Sequence, residues 1–285
     1  MSNLCRMLIM VDNGELLSLR SLLLASLVEA SRGDPYFYEL YGKYSHSDGW
    51  GALVLDVGSG MRLVTVKSLT PIFEDNLKVL DLSRSSRAVE VIHARAASEN
   101  TPVNLFSTHP IEVSTASGYK ILLAHNGSVD KNGLARRVGY NDIEYNLYND
   151  TYFLAKFVAK RVEEYLGLGG GISHHEVSNI FKRILKDSLN YVRTALNIAL
   201  LLMMKDKAYL LVGSYYRGED ERSKRYYRMY LGNIGDSRVY ASSTLVEVEH
   251  YKPAVEVEWR ELRRGEYHLY EIDRNAIKAT GVIEI

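Results

Sequence analysis

The sequence predicts a single-domain α+β fold built on antiparallel sheets, and two features of the chain support that prediction. Strand-like apolar runs stand before and after a pair of amphipathic helices, whereas the alternation of single strands and helices that is typical of parallel sheets is missing. In addition, neither a Pro- or Ser-rich linker nor an internal repeat divides the 285 residues. We therefore expect residues 1–285 to form a single domain with a substantial core.

The first half of the chain is predicted to be mostly strands around one helix. Residues 5–11 (CRMLIMV) form a short apolar run that is typical of a buried strand. Residues 15–31 repeat Leu and Ala at helical spacing and are followed by Gly33-Asp34-Pro35, which predicts a helix with a clear end. Four more strands are predicted at 51–57, 62–66, 88–94 and 120–123, the first two joined by a turn at Gly58-Ser59-Gly60.

The second half is predicted to begin with two helices and to end in a run of strands. Residues 150–166 and 174–191 carry apolar residues at helical spacing, with the glycine-rich connection 167–171 between them. Residues 217–228 mix Glu with Arg, so we expect a solvated hairpin tip there. Six short strands are predicted at 195–204, 207–216, 225–231, 237–242, 254–261 and 267–272.

The composition excludes several classes of function. Lys plus Arg and Asp plus Glu each number 35, so the chain has no basic field for nucleic acid and no polybasic arm for a membrane. No stretch approaches the ~20 uninterrupted apolar residues of a membrane span, and the first residues lack the pattern of a signal peptide. The single cysteine, Cys5, rules out an internal disulfide, so we expect a reduced, cytoplasmic setting.

Several loops carry polar residues that the flanking strands do not need. Taken singly, each has an ordinary explanation: Asp48-Gly49 and Asn126-Gly127 are common turn dipeptides, Asn149 is a suitable helix cap, and Arg95 could sit in a satisfied ion pair. Taken in chain order, they form a more specific set. The set is Cys-Arg-Met-Leu at 5–8, Asp-Gly-Trp-Gly at 48–51, His-x-Arg-x-x-Ser at 93–98, Thr-His-Pro at 108–110, His-Asn-Gly at 125–127 and Asn-Asp-Thr at 149–151.

This set of motifs resembles the class II glutamine amidotransferases, which are N-terminal-nucleophile hydrolases, and most of all their free-standing, single-domain branch. The likeness continues through residues 194–197 (TALN) and 241–243 (ASS) to Trp259, and so covers nearly the whole chain. The resemblance implies a four-layer αββα sandwich of two antiparallel sheets. It also implies hydrolysis of the side-chain amide of glutamine to glutamate and ammonia through a thioester on Cys5.

The resemblance gives catalytic roles to three residues. The sulfur of Cys5 would attack the amide carbon, and the free α-amino group of the same residue would act as general base. Such a group titrates near pH 8 when unperturbed, so it can accept a thiol proton at neutral pH. The side-chain amide of Asn126 and the backbone N–H of Gly127 would form the oxyanion hole.

Substrate recognition is expected from four further residues. Arg95 offers a planar fork for the α-carboxylate, and Ser98 adds a hydroxyl group. Asp150 would pair with the α-ammonium group. Trp50, with a glycine on either side, would wall the pocket, although simple packing explains this tryptophan equally well.

The resemblance implies neither a catalytic metal nor any other cofactor. We therefore expect the motif histidines to converge on the site as hydrogen-bonding residues rather than zinc ligands; they are His46, His93, His109 and His125. The adjacent pair His174-His175 also needs no metal, because Ser173 and Glu176 fit a helix capping box and neighbouring residues point in different directions on a helix.

The sequence leaves the acceptor and the true amide open. Ammonia would pass to a separate synthase or to none, and the oligomeric state is not indicated. A hydrolase of another γ-glutamyl amide and a catalytically silent ligand-binding relative are the alternatives to a glutaminase.

Residues 1–4 precede a cysteine that the resemblance would make the first residue. Either a four-residue propeptide is cleaved between Leu4 and Cys5, or translation starts at Leu4 from an alternative start codon. In the second case, removal of the initiating methionine would expose Cys5. We favour the second route, because these four residues contain no pattern that would direct cleavage after Leu4.

Overall fold

The computed structural model describes residues 5–58, 60–83, 86–166, 173–254 and 257–285. It confirms the predicted α+β sandwich: two antiparallel sheets are stacked face to face, with helices on both outer faces. The predicted connection at 167–171 lies outside the described residues, as does Ser59 of the predicted turn.

The strands form one seven-stranded and one six-stranded sheet. The first has the order β11-β9-β10-β1-β4-β2-β3, and the second has the order β13-β12-β8-β7-β6-β5. The strand bounds are β1 (Arg6–Asp12), β2 (Trp50–Asp56), β3 (Arg62–Ser68), β4 (Ala88–Ala94), β5 (Ile111–Ser114), β6 (Lys120–Asn126), β7 (Asn197–Met203), β8 (Ala208–Ser214), β9 (Met229–Ile234), β10 (Ser237–Ser242), β11 (Glu258–Glu261), β12 (Glu266–Ile272) and β13 (Ile277–Glu284).

Along the chain, the helices of the described residues are inserted between strands. Their bounds are α1 (Arg20–Arg32), α2 (Pro35–Tyr41), α3 (Lys131–Val138), α4 (Asp142–Leu147), α5 (Asp150–Leu166), α6 (His174–Leu189), α7 (Glu221–Tyr227) and α8 (Thr244–Glu247), with 3₁₀ turns at Leu77–Ser83 and Glu249–Tyr251. No helix in the described ranges is long and apolar enough to cross a membrane.

Side-chain alternation along the strands divides the core into three layers. On β1, Met7 packs between the two sheets, whereas Leu8 packs beneath α1. On β6, Ala124 packs between the sheets, whereas Leu123 packs against α5. By the same alternation, the side chains of Cys5, just before β1, and of Asn126, at the end of β6, point toward the space between the sheets.

The first helix, the hairpin tip and the strand predicted from residue 225 differ from the observed elements. The first helix begins at Arg20 rather than residue 15, because Asp12 Oδ1 accepts hydrogen bonds from Gly14 N (2.7 Å) and Leu16 N (3.0 Å) and so holds the preceding residues in a turn. The hairpin tip predicted at 217–228 is wrong, since α7 forms there with the Asp220 side chain as its N-cap. Strand structure predicted from residue 225 starts only at β9.

Candidate active site

The motif residues lie at the ends of elements, where side chains leave the regular pairing of the sheets. Cys5 precedes β1 and Arg95 follows β4, and these two antiparallel strands are neighbours, with Arg6 opposite Ala94. Asn126 ends β6 of the second sheet, and it contacts Cys5. The candidate site therefore lies where the two sheets end together.

Cys5 is fully buried at this junction. Its backbone nitrogen donates to Oδ1 of Asn126 at 3.2 Å, and its Sγ lies 4.0 Å from the carbonyl oxygen of Ala96. Burial raises the pKa of the Cys5 thiol to about 12, although the Ala96 contact and the charge of Arg95 oppose the rise. The thiol is therefore protonated at neutral pH, and a base must remove its proton before the sulfur can attack.

Asn126 and Gly127 form a tight turn beside Cys5. Because Oδ1 of Asn126 accepts from the Cys5 nitrogen, Nδ2 remains as the donor end of this side chain. Gly127 has φ +146°, and a Cβ there would lie 2.1 Å from the carbonyl oxygen of Ala195. Both the backbone conformation and that close carbonyl require glycine, so the turn brings an amide side chain next to the backbone nitrogen of Cys5 and follows it with a bare backbone.

Arg95 is buried with part of its guanidinium unpaired. Nη2 donates to the carbonyl oxygen of Pro102 at 2.8 Å, whereas Nε and Nη1 meet no hydrogen-bond partner among the described residues. Burial lowers the pKa of Arg95, while the nearby Cys5, Asp48 and Asp150 oppose that shift. The guanidinium thus retains unpaired N–H donors on Nε and Nη1, and a carboxylate is a suitable acceptor for such a cationic group.

A cavity of about 220 Å³ opens where Pro102 contacts Arg95, and both Ser98 and Asp150 line it. The Ser98 hydroxyl lies 2.6 Å from Oγ1 of Thr101. The Asp150 carboxylate, at the start of α5, is oriented by Val129 N at 3.0 Å and by Thr151 N at 2.8 Å.

The cavity is also lined by Lys131, Tyr145 and Arg193. The sequence analysis did not predict the positive charge that the lysine and the arginine bring to it. The Lys131 Nζ donates to the carbonyl oxygen of Tyr145 at 2.6 Å and lies 4.3 Å from the centre of its ring. Burial lowers the pKa of Lys131, and Asp150 opposes the shift. The only sequence feature that could have indicated this side of the cavity is the position of the lysine, four residues after Gly127. No sequence pattern marks Tyr145 or Arg193.

Trp50 lies on the opposite face of the first sheet from Cys5. It packs with Leu8 beneath α1, and its Nε1 donates to Oδ2 of Asp75 at 2.8 Å. The packing explanation therefore replaces the predicted role as a pocket wall. The adjacent Gly51 does permit a close approach, because a Cβ there would lie 2.1 Å from the carbonyl oxygen of His109.

Three of the four motif histidines are linked to one another. His93 Nε2 lies 2.8 Å from Nδ1 of His109 and 3.3 Å from the carbonyl oxygen of His125. Burial lowers the pKa of His93 to about 3 and that of His109 well below its ordinary value, so both are neutral at pH 7. His46 is hydrogen-bonded elsewhere: its Nε2 lies 2.8 Å from Oδ2 of Asp34, which pairs with Arg6 next to Cys5.

No group of three or more His, Cys, Asp or Glu that could hold a metal ion occurs among the described residues. At the start of α6, the Ser173 side chain accepts from Glu176 N at 3.3 Å, and the Glu176 carboxylate accepts from Ser173 N at 2.9 Å. The predicted capping box is therefore confirmed.

A buried ion-pair network anchors the start of β1 next to Cys5. Arg6 pairs with Asp34 and donates through Nη1 to the carbonyl oxygen of Tyr226 at 3.0 Å. Asp34 also caps α2 by accepting from Tyr36 N at 3.0 Å, and the Tyr226 hydroxyl donates to the carbonyl oxygen of Cys5 at 3.5 Å. Sequence reasoning missed this network because its members are far apart in the chain.

The fold matches that of two solved structures over nearly the whole chain. One is glutamine phosphoribosylpyrophosphate amidotransferase from B. subtilis, complexed with ADP and GMP, with a TM-score of 0.55 and 17% identity over 97% of this chain and 49% of that one. The other is described as the allosteric regulatory enzyme of purine biosynthesis, with a TM-score of 0.55 and 15% identity over 97% of this chain and 48% of that one. The chain thus spans about half the length of each.

A glutamine aminotransferase class-II domain protein from Silicibacter pomeroyi also aligns, with a TM-score of 0.44 and 12% identity over 97% of this chain and 98% of that one. No protein-family model matches the chain. No curated protein matches it either. At the identities found, the likeness to the first two structures establishes the fold, and the resemblance predicted from the sequence motifs is confirmed at that level.

Proposed function

From this fold and site, we propose that the chain is an amidohydrolase of the class II glutamine amidotransferase type, which hydrolyses the side-chain amide of glutamine to glutamate and ammonia. The observation that carries the proposal is the contact of Cys5 with Asn126 at 3.2 Å, because a nucleophile and an oxyanion donor must flank the same carbon. Arg95 supports an amino-acid substrate, since an α-carboxylate would pair with its charge and accept from its unpaired N–H donors.

In the proposed reaction, the sulfur of Cys5 attacks the amide carbon while the thiol proton passes to the α-amino nitrogen of the same residue. Asn126 Oδ1 accepts one N–H of that nitrogen, which leaves the nitrogen lone pair for the proton. Asn126 Nδ2 and the Gly127 N–H stabilise the oxyanion. The protonated amine then gives its proton to the leaving ammonia, and water hydrolyses the thioester to release glutamate.

This reaction requires Cys5 to be the first residue of the active protein, because a peptide nitrogen has no basic lone pair at neutral pH. Asp150 binds the α-ammonium group of the substrate, and the Ser98 hydroxyl assists Arg95 in binding the α-carboxylate. Neither a metal nor a cofactor takes part. The ammonia leaves to solvent or passes to a separate acceptor protein.

The test is release of glutamate and ammonia from glutamine and from a panel of other γ-glutamyl amides, using protein that begins at Cys5. We expect hydrolysis of glutamine, and none with the matched Cys5→Ala variant. Faster turnover of another γ-glutamyl amide would overturn the choice of glutamine. Binding of glutamate without turnover of any amide would overturn the enzymatic proposal.

A further inference from the structure

His125 connects two parts of the candidate site that come from different elements. Unlike Asn126, it faces α5 rather than the space between the sheets: its Nδ1 lies 3.2 Å from Oγ1 of Thr151. Its Nε2 lies 3.0 Å from the carbonyl oxygen of Ala195. Because a carbonyl oxygen only accepts, we assign the ring proton to Nε2. The Thr151 hydroxyl then donates to Nδ1 at 3.2 Å in preference to Oδ1 of Asp150, which lies 3.5 Å away.

The two partners of the ring lead to opposite sides of the site. A Cβ on Gly127 would lie 2.9 Å from Nε2 of His125 and 2.1 Å from the carbonyl oxygen of Ala195, so the backbone of Gly127 rests directly on this bonded pair. On the other side, the backbone N–H of Thr151 donates to Oδ1 of Asp150 at 2.8 Å. One fully buried imidazole thus supports the turn after β6 and holds the first residues of α5.

We propose that His125 is a positioning residue, which fixes the Asn126–Gly127 turn relative to the carboxylate of Asp150. It acts through Ala195 and Thr151. The inference rests on the proposed function, in which the turn stabilises the oxyanion and Asp150 binds the substrate ammonium group.

The two hydrogen bonds of the ring should therefore control different kinetic constants. Oxyanion donors act in the transition state, so loss of the Ala195 bond lowers kcat. Asp150 binds substrate and transition state alike, so loss of the Thr151 bond raises KM.

Three substitutions separate the bonds. His125→Gln places an amide N–H near the position of Nε2 but gives up the acceptor for Thr151, and Thr151→Val removes the hydroxyl from the other end of that bond. We expect both to raise KM for glutamine about two- to tenfold, the factor that one neutral hydrogen bond controls, with kcat retained. His125→Asn keeps a polar group near Nδ1 and loses the bond to Ala195, so we expect kcat to fall at least about tenfold with KM retained.

Controls distinguish positioning from a general loss of packing. The His125→Gln/Thr151→Val double variant should have the KM of either single variant, since both remove one shared bond, and Thr151→Ser should restore the wild-type KM. Thr280→Val deletes a hydroxyl that donates to the carbonyl oxygen of Leu269 at 3.1 Å, and it should leave KM unchanged. Additive effects in the double variant, or equal proportional changes of kcat and KM in all variants, would overturn the proposal.

A spectroscopic readout separates this proposal from the function on which it rests. Absence of amide hydrolysis by the wild type would refute the proposed function alone. In the ¹H–¹⁵N spectrum, we expect Thr151→Val to shift the backbone amide resonance of Gly127 whatever the activity, because His125 links the two residues. A Gly127 resonance that Thr151→Val leaves in place would overturn the positioning role.

Discussion

Burial holds two kinds of titratable side chain at the site in their uncharged forms. It raises the pKa of the Cys5 thiol to about 12 and lowers that of His93 to about 3. The guanidinium of Arg95 keeps its charge despite burial, since an arginine does not lose its proton in a protein. Under the proposed function, the site thus offers a fixed cation for a substrate carboxylate and a thiol that needs a base before it can act as nucleophile.

Arg95→Lys should raise KM for glutamine about 10- to 100-fold, because the point charge of a lysine cannot reproduce the several planar N–H donors of the guanidinium, of which those on Nε and Nη1 are unpaired. The measurement is the steady-state kinetics of glutamine hydrolysis. The matched control is Arg274→Lys at an exposed arginine, which should leave KM unchanged. Wild-type KM in Arg95→Lys would show that Arg95 does not bind the α-carboxylate.

The pH dependence of kcat/KM should report the α-amino group rather than the thiol. Below the pKa of the amine, near 8 when unperturbed, the nitrogen is protonated and cannot take the thiol proton, so activity falls as pH decreases. Because the thiol pKa is about 12, thiol ionisation adds nothing at neutral pH. A rising limb above pH 10 in place of one near 8 would argue against the amine as base.

Among the elements, those with local signals were predicted from the sequence and those that depend on distant partners were not. α5 has its predicted bounds because the Asn149 side chain accepts from Tyr152 N at 3.1 Å and caps a clear amphipathic segment. α7 was missed because mixed charges hide a segment whose Tyr226 and Tyr227 are buried by other parts of the fold. The expectation that Cys5 lies beside Asn126 came instead from the resemblance of the motifs to the class II glutamine amidotransferases, since no local pattern relates residues 121 positions apart.

The ion pair of Arg6 with Asp34 should matter more for stability than any single surface pair. Both side chains are fully buried, and Asp34 joins β1 to the start of α2. Asp34→Asn leaves a buried guanidinium uncompensated, so we expect a loss of about 3–5 kcal/mol in the free energy of unfolding at pH 7, measured by urea denaturation. The control Asp206→Asn, at a pair with Arg274 that is 63% and 68% exposed, should cost at most about 1 kcal/mol.

The penalty of Asp34→Asn should also depend on pH. Burial alone would raise the pKa of the Asp34 carboxyl, but Arg6 and His46 more than offset it and hold the pKa well below its usual range. A carboxylate with a depressed folded-state pKa stabilises the fold above its unfolded value of about 3.9, and the contribution is lost as pH falls toward the folded value. The gap between wild type and Asp34→Asn should therefore be smaller at pH 3 than at pH 7, and a constant gap would contradict the ion-pair explanation.

At the scale of the whole molecule, neither sheet holds the candidate site alone. Cys5 and Arg95 leave the first sheet, Asn126 leaves the second, and one apolar layer joins the two sheets beneath them. We therefore propose that residues 1–285 fold as a single unit. Trp50 and Trp259 both lie in the first sheet, so their fluorescence should change at the same urea concentration as the far-ultraviolet circular dichroism of the whole chain. Separate midpoints would contradict a single unit.

Residues 1–4 lie outside the described part of the chain, yet the proposed chemistry makes them decisive for activity. With Leu4 attached, the nitrogen of Cys5 still donates to Asn126, so we expect the same fold and the same unfolding temperature with or without these residues. The nitrogen is then a peptide nitrogen, however, and the general base is missing. Protein that retains residues 1–4 should therefore hydrolyse glutamine at least about 10²-fold more slowly than protein that begins at Cys5, which is the usual contribution of a positioned base. The comparison needs the terminus of each preparation established by intact mass, with Cys5→Ala as the inactive reference. Equal activity from protein whose first four residues are proven intact would rule out the amine as the base and with it this account of Cys5.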